Sequence, residues 1–312
     1  MFENKEKKYH TYSDYLKNRY GKKVFKVSLN GHFTCPNKDG SVATGGCIYC
    51  SPSGSGDFAG NVEDDLKTQF QQVKTMMHKK WQDAYYIAYF QANTNTYKDV
   101  KSLRNLFETA ITLDKDIVGL SVGTRCDALD EEKVKLLAEL NQSVDVQVEL
   151  GLQSIHDETA KWMNRGHDLN CFDQAVALLR QYNLEVVVHI INGFPNEDKT
   201  KMLETIHHLN TLDIQGIKIH MLHIMKKTTL AYLYEQTPFH LLSLEEYVDI
   251  VKSQIEQLNP NIIVHRVTGD APRSSLIAPL WTLKKFVVMN EIDKRMRSEQ
   301  TYQGIYYKQK AL

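Results

Sequence analysis

Short apolar runs alternate with longer stretches of helical period along most of the chain. The runs at 24–31, 84–91, 117–123, 144–151, 185–192 and 214–220 read as strands. Between them, helical spacing predicts helices over 62–80, 99–113, 130–141, 170–182 and 197–210. In the first of these Val62, Leu66, Phe70, Val73 and Met77 share a face, with Asn61 positioned to cap; in the third Asp130 caps a helix burying Val134, Leu137 and Leu140. Six strands, each followed by helix, imply a parallel sheet with right-handed crossovers. At roughly 200 residues this body is shorter than the roughly 250 of an eight-stranded barrel, so an open or partial barrel fits it. A flat doubly wound sheet is the alternative that periodicity does not separate. After residue 240 the rhythm changes to a helix over 242–258, a strand over 261–267 and a long basic helix over 281–297. The expected organisation is a basic N-terminal segment (1–23), a barrel body (24–240) and a C-terminal α/β extension (241–312) continuous with it.

Composition narrows the class. The 312 residues are 42% hydrophobic with seven prolines, enough for a sizeable core and incompatible with wholesale disorder. No apolar run approaches the roughly 20 residues of a membrane span. The opening MFENKEKKYHTYSDY lacks the apolar stretch of a secretory signal, so a cytoplasmic enzyme is expected. The net charge of zero is unevenly spread: residues 1–26 carry eight Lys/Arg against three acidic residues, and 281–312 carry seven against three. Basic ends could meet RNA or another polyanion. The plainer reading is that they keep the ends solvated, since no arginine-rich block accompanies them.

The chemical signal is Cys35-x11-Cys47-x2-Cys50, directly after the first predicted strand. The Cys47–Cys50 spacing brings two thiolates to one centre from a single turn, and Gly40, Gly45 and Gly46 let the loop wrap Cys35 back toward them. Thiolates in this number select zinc, copper(I) or an iron–sulfur cluster. Three ligands would leave one iron of a four-iron cubane open. The alternative is a Cys3His zinc site completed by His32, which would make the chain a zinc-stabilised binding protein without radical chemistry. Cys126 and Cys171 lie in apolar segments and are expected in the core.

The predicted strands end in polar residues, where barrel enzymes collect their chemistry. Gln91-Ala92-Asn93-Thr94-Asn95-Thr96 ends the second and Thr124-Arg125-Cys126-Asp127 the third. Alternation puts Gln147, Glu149 and Gly151 on one face of the fourth. A buried carboxylate there needs a partner or a ligand, with Arg125 the nearest candidate partner. His189 to Pro195 ends the fifth, where His189 alone reads as an ordinary core histidine.

Together the cysteine loop, Val148-Glu149-Leu150-Gly151-Leu152-Gln153-Ser154, Met163-Asn164-Arg165-Gly166-His167 and His189-Ile190-Ile191-Asn192-Gly193-Phe194-Pro195 resemble radical S-adenosylmethionine enzymes. The resemblance is to the division of the Elongator catalytic subunit and the methylthiotransferases, in its YtqA/YhcC-type group, and covers roughly residues 15–312. It implies a partial (β/α)6 TIM-like barrel with a C-terminal extension and a [4Fe-4S] cluster on Cys35, Cys47 and Cys50. S-adenosyl-L-methionine would bind the open iron through its amino and carboxylate groups. An electron from an external flavodoxin- or ferredoxin-type donor would then release a 5′-deoxyadenosyl radical that abstracts hydrogen. By the same resemblance Asn93 falls near the methionine amine. Glu149 and Gln153 fall near the methionine carboxylate or the ribose, and Ile191 and Gly193 near the adenine. The family's acidic residue of the adenine motif is Asn196 here, with Glu197 beside it. Arg165 and His167 would orient substrate or cofactor. Residues 264–272 resemble the stretch after the barrel in Elongator-type proteins, but no acetyltransferase domain follows, and neither an RNA-binding β-barrel tail nor a second cysteine-rich motif is present. RNA or a nucleotide-bearing molecule is the candidate substrate class.

Overall fold

A computed structural model describes residues 7–308, so the first six residues of the basic N-terminal segment and the last four of the chain lie outside the described residues. Seven strands form one parallel sheet: β1 (Lys23–Leu29), β2 (Ala84–Phe90), β3 (Ile117–Thr124), β4 (Asp145–Gln153), β5 (Glu185–Asn192), β6 (Gly216–Met221) and β8 (Ile263–Arg266), hydrogen-bonded in that order. Neighbours in the chain are neighbours in space. This is the curled partial barrel, not the doubly wound alternative, whose strand order reverses at a switch point. The strand at 261–267, read as part of an extension, is the seventh of the sheet and pairs with β6.

Helices α2 (Leu66–His78), α3 (Val100–Ile111), α4 (Glu131–Leu140), α6 (Leu169–Gln181), α7 (Lys199–Leu209) and α9 (Leu244–Gln257) follow successive strands. Each opens on an Asp or Ser cap that accepts a hydrogen bond from the third helical N–H, such as Asp130 from Lys133 (2.9 Å) and Asp168 from Cys171 (2.9 Å). The predicted start of the first barrel helix is corrected. Asp65, not Asn61, is the cap, because Thr68 N–H reaches its carboxylate at 2.7 Å, and Val62 lies outside the helix, 41% exposed. Shorter helices α5 (Asp157–Trp162) and α8 (Thr229–Gln236), the two-stranded antiparallel pair β7 (Ile224–Met225) and β9 (Leu276–Ala278), and the C-terminal α10 (Lys285–Ser298) complete the chain.

The sheet has two chemical faces because strand side chains alternate. Val27, Leu29, Ala88, Phe90, Leu120, Val122, Val148, Leu150, Val186 and Val188 point outward into one core with the helices. The opposite face is polar and lines the lumen. One further helix, α1 (Tyr12–Tyr20), starts at a Thr11 cap and ends on Gly21 in the left-handed conformation. It seals the gap between the outer strands: Val264 N–H donates to His10 O (2.8 Å), and Tyr12 lies parallel to His265 with centroids 3.7 Å apart. No helix among the described residues is long and apolar enough to cross a membrane.

Candidate active site

The loop from Asn30 to Asp65 carries the three cysteines over the C-terminal mouth of the barrel. Its turns are drawn by its own backbone: Lys38 and Asp39 N–H both donate to Cys35 O, Gly46 N–H to Asn37 O (2.7 Å), and Cys50 N–H to Cys47 O (2.9 Å). Gly40, Gly45 and Gly46 all take positive φ, as the wrapped loop requires. The loop is then pinned across the mouth, with Ile48 N–H donating to Met163 O and Leu230 N–H to Ile48 O. Cys35, Cys47 and Cys50 border a cavity of about 980 Å³ that runs down into the lumen.

The surroundings of the thiols suit anionic sulfur. Arg165 Nη1 and Asn37 Nδ2 donate toward Cys47 Sγ at 3.6 and 3.5 Å, and Arg165 Nη2 donates to Gly151 O. Burial pushes the Cys50 thiol up, and the nearby Lys38 ammonium opposes it. Buried polar atoms stand without hydrogen-bond partners beside this loop: Asn37 Oδ1, Thr94 Oγ1, Asn95 Oδ1 and Arg165 Nε. Native interiors seldom leave such groups unpaired, and a bound polar group is one resolution. The donor set, the cavity and these atoms fit an iron–sulfur cluster with a polar small molecule beside it.

The zinc alternative fares worse. His32 is exposed and does not border the cavity. Ligand atoms around one zinc lie about 3.8 Å apart, given Zn–S near 2.3 Å. Among the described residues, only Cys126, Asp127 and His167 bring three such atoms within 4.8 Å of one another.

Asn93 borders the cavity in a left-handed conformation (φ 63°), with Nδ2 donating to Phe33 O (3.0 Å) and Oδ1 accepting from Lys38 Nζ (3.0 Å). It braces the cysteine loop with both ends of its amide. Gly54 lies against it so closely that a Cβ there would fall 2.0 Å from Asn93 Oδ1. Gln153 (φ 74°) ends β4 at a register shift against β5 and borders the cavity, as does Ile191. Gly193 does not: it sits off the wall, against Leu242 and Leu222. Arg165 borders the cavity and His167 does not; Glu197 accepts a hydrogen bond from Ser154.

Glu149, 1% exposed, is the centre of the lumen. Its Oε1 accepts from Lys26 Nζ and Ser121 Oγ, and its Oε2 accepts from Tyr89 Oη and Lys218 Nζ with His189 Nε2 at 2.8 Å. Burial alone would raise its carboxyl; Lys218 and Lys26 instead hold it well below the usual range. Arg125 is not its partner, because that guanidinium grips Asp127 through Nε and Nη2 at 2.8 and 2.7 Å. Burial pulls Lys218 down to about 7, and draws His189 and His223 down to about 4. His220 and His265 join them on the cavity wall. The sequence reading missed Lys26, Lys218, His220 and His265. The available signal was a lysine set among apolar residues in each of β1 and β6, with His220 two residues beyond Lys218 on the same face.

A family model described as the Radical SAM superfamily matches residues 40–209, and one described as the Radical_SAM C-terminal domain matches residues 214–298. The chain is 49% identical to the uncharacterized protein YtqA of Bacillus subtilis, covering 98% of this chain and 95% of that one. It is 25% identical to the tRNA uridine(34) acetyltransferase of Methanocaldococcus jannaschii over 57% of this chain and 33% of that one. The solved structure of Elp3 from Methanocaldococcus infernus superposes with a TM-score of 0.69 at 16% identity, covering 90% of this chain and 64% of that one, a likeness of fold. The curled parallel sheet, the cysteine loop over its mouth and the match across both parts of the chain make this protein a member of the radical SAM superfamily.

Proposed function

We propose that the chain holds a [4Fe-4S] cluster through Cys35, Cys47 and Cys50, binds S-adenosyl-L-methionine beside it, and uses both to abstract hydrogen from an RNA or nucleotide-bearing substrate. The observation that carries the reading is the set of three thiols bordering one cavity that reaches into the lumen, with buried polar atoms left unpartnered beside their loop. When bound, the cluster and the sulfonium supply one-electron cleavage and a 5′-deoxyadenosyl radical, with the electron coming from an external flavodoxin- or ferredoxin-type donor.

The chain's own residues position and enclose. Arg165 offers a positive charge to Cys47, and Asn93 and Lys38 brace the loop. Gln153 and Ile191 offer a polar and an apolar surface on the same wall for the nucleoside. Glu149, with every donor around it already taken up, fixes Lys26, Lys218 and His189 in the lumen where substrate would lie. Gly193 acts indirectly, by letting the end of β5 pack under Leu242. The RNA reading draws on the name of the acetyltransferase relative and on the lysine-rich ends.

Anaerobic purification with iron and sulfide quantification, followed by a dithionite-reduced assay for 5′-deoxyadenosine, tests the core of the proposal. About four irons per chain and formation of 5′-deoxyadenosine are expected. A colourless protein without iron, whose bound zinc is lost in Cys47→Ala, would overturn it. Binding of bulk tRNA with a steep inverse dependence on salt tests the substrate class, and no binding at low salt would remove RNA from it.

A further inference from the structure

A second set of side chains of metal-ligating type meets outside the cavity, behind the wall formed by Arg125 and Arg165. Cys126 opens the 3₁₀ turn (Cys126–Ala128) after β3, and Asp127 follows it. His167 lies in the connection between α5 and α6, and Cys171 sits in the first turn of α6. One ligand atom each from Cys126, Asp127 and His167 falls within 4.8 Å of the others; Cys171 stands outside that trio, with its Sγ 3.4 Å from Cys126 Sγ. Both cysteines sit in the core as the sequence led one to expect, Cys126 within it and Cys171 packed against it, and they also touch each other.

The separation of the two sulfurs is informative. A disulfide needs about 2.05 Å. Two thiolates on one tetrahedral zinc stand about 3.8 Å apart, from Zn–S bonds near 2.3 Å. The observed 3.4 Å is a hydrogen bond from the Cys171 thiol to Cys126 Sγ, too long for a disulfide and close enough for both sulfurs to reach one ion. A disulfide would also leave His167 unexplained, whose Nε2 is buried with no hydrogen-bond partner. Asp127 already has the kind of support that holds a ligating carboxylate in place, since Arg125 donates to both of its oxygens. Cys126 is buried, whereas Asp127, His167 and Cys171 are partly exposed, so a metal ion has a route in from solvent.

We propose that Cys126, Cys171, His167 and Asp127 form a binding site for one zinc ion, distinct from the three-cysteine loop. Binding forms two Zn–S bonds, one Zn–N bond and one Zn–O bond and releases the two thiol protons, with no change of oxidation state. The bound ion ties the end of β3 to the start of α6. Through Asp127 it also fixes Arg125, whose side chain borders the cavity.

The test uses the full chain carrying Cys35→Ala, Cys47→Ala and Cys50→Ala, reduced and titrated anaerobically with Co²⁺ alone. One equivalent giving the visible bands of tetrahedral cobalt with thiolate charge transfer, displaced by one equivalent of Zn²⁺, is expected. Adding Cys126→Ser, Cys171→Ser or His167→Ala should weaken that binding by at least about 100-fold, with metal-free circular dichroism checking that each variant folds. As a second measurement, cluster-loaded wild type supplied with one equivalent of zinc should retain it through gel filtration, and Cys171→Ser should lose it. Absence of the tetrahedral spectrum, its persistence in the added variants, or a Cys126–Cys171 disulfide that excludes the ion would each overturn the proposal. Because the titrated protein lacks the loop cysteines, its outcome is independent of whether wild type loads an iron–sulfur cluster.

Discussion

Arg165 Nη1 lies 3.6 Å from Cys47 Sγ, with both side chains buried, so a fixed positive charge faces one of the three loop thiols. A cluster gains negative charge on reduction, and a nearby cation favours the reduced form. Arg165→Met should therefore lower the reduction potential by a few tens of millivolts, where about 59 mV is a tenfold change in a one-electron equilibrium. A potentiometric titration followed by electron paramagnetic resonance reads this directly. An unchanged potential would confine Arg165 to holding Gly151 O.

Cys47→Ala should cut retained iron and abolish 5′-deoxyadenosine formation, by more than about 100-fold, since removing a ligand exceeds the 10–100-fold typical of its supports. His32→Ala should leave both unchanged, because that side chain is exposed and away from the cavity. Unchanged iron and product in Cys47→Ala would rule out the three-cysteine site, and loss of bound metal in His32→Ala would restore the zinc alternative.

Glu149 is the shared counter-ion of the buried Lys218 and the half-buried Lys26. Glu149→Ala removes the anion that keeps Lys218 charged and leaves Lys26 unpaired, so it should cost on the order of 3 kcal/mol of stability, whereas the double replacement Glu149→Leu/Lys218→Leu should recover part of that loss. Urea unfolding of the two variants decides. If the double variant is no more stable than the single, lone-charge burial is not the source of the cost.

Acid should weaken the protein before its carboxylates titrate. An unfolded histidine takes its proton near pH 6.5, but burial holds His189 and His223 unprotonated down to about 4. Between those values the unfolded state binds more protons, so the stability these two histidines contribute falls as pH drops from about 6.5 toward 4 and is level above that window. At pH 5 the loss is about 2 kcal/mol per histidine relative to pH 7. Urea midpoints at the two pH values measure it, and His223→Gln should shrink the difference. Equal midpoints for wild type would refute the account.

Local signals in the sequence read well where a single element decides the outcome. The β5 range of 185–192 matches Glu185–Asn192, the Asp130 cap is in place, and the alternation that groups Gln147, Glu149 and Gly151 on one face is the alternation of β4. Helix α1 was not legible because its residues are polar and tyrosine-rich, and it folds by plugging the barrel rather than by presenting an apolar stripe. The partners of Glu149 were hidden by distance along the chain: Lys26 lies 123 residues before it and Lys218 69 after, while the nearer Arg125 was already committed to Asp127. Cys126 and Cys171, 45 residues apart, each sit in an apolar segment, and only the packing of α6 beside the end of β3 makes them neighbours.

Ser55, Asn93 and Gln153 line the cavity in backbone conformations that side chains rarely adopt, and each such residue costs on the order of 1–3 kcal/mol. An engineer hunting for a sturdier enzyme would be tempted to relax these first, by introducing glycine. At Asn93 glycine would also cut the two hydrogen bonds that brace the cysteine loop, so relief of backbone strain in this molecule comes at the expense of the cavity rim's shape.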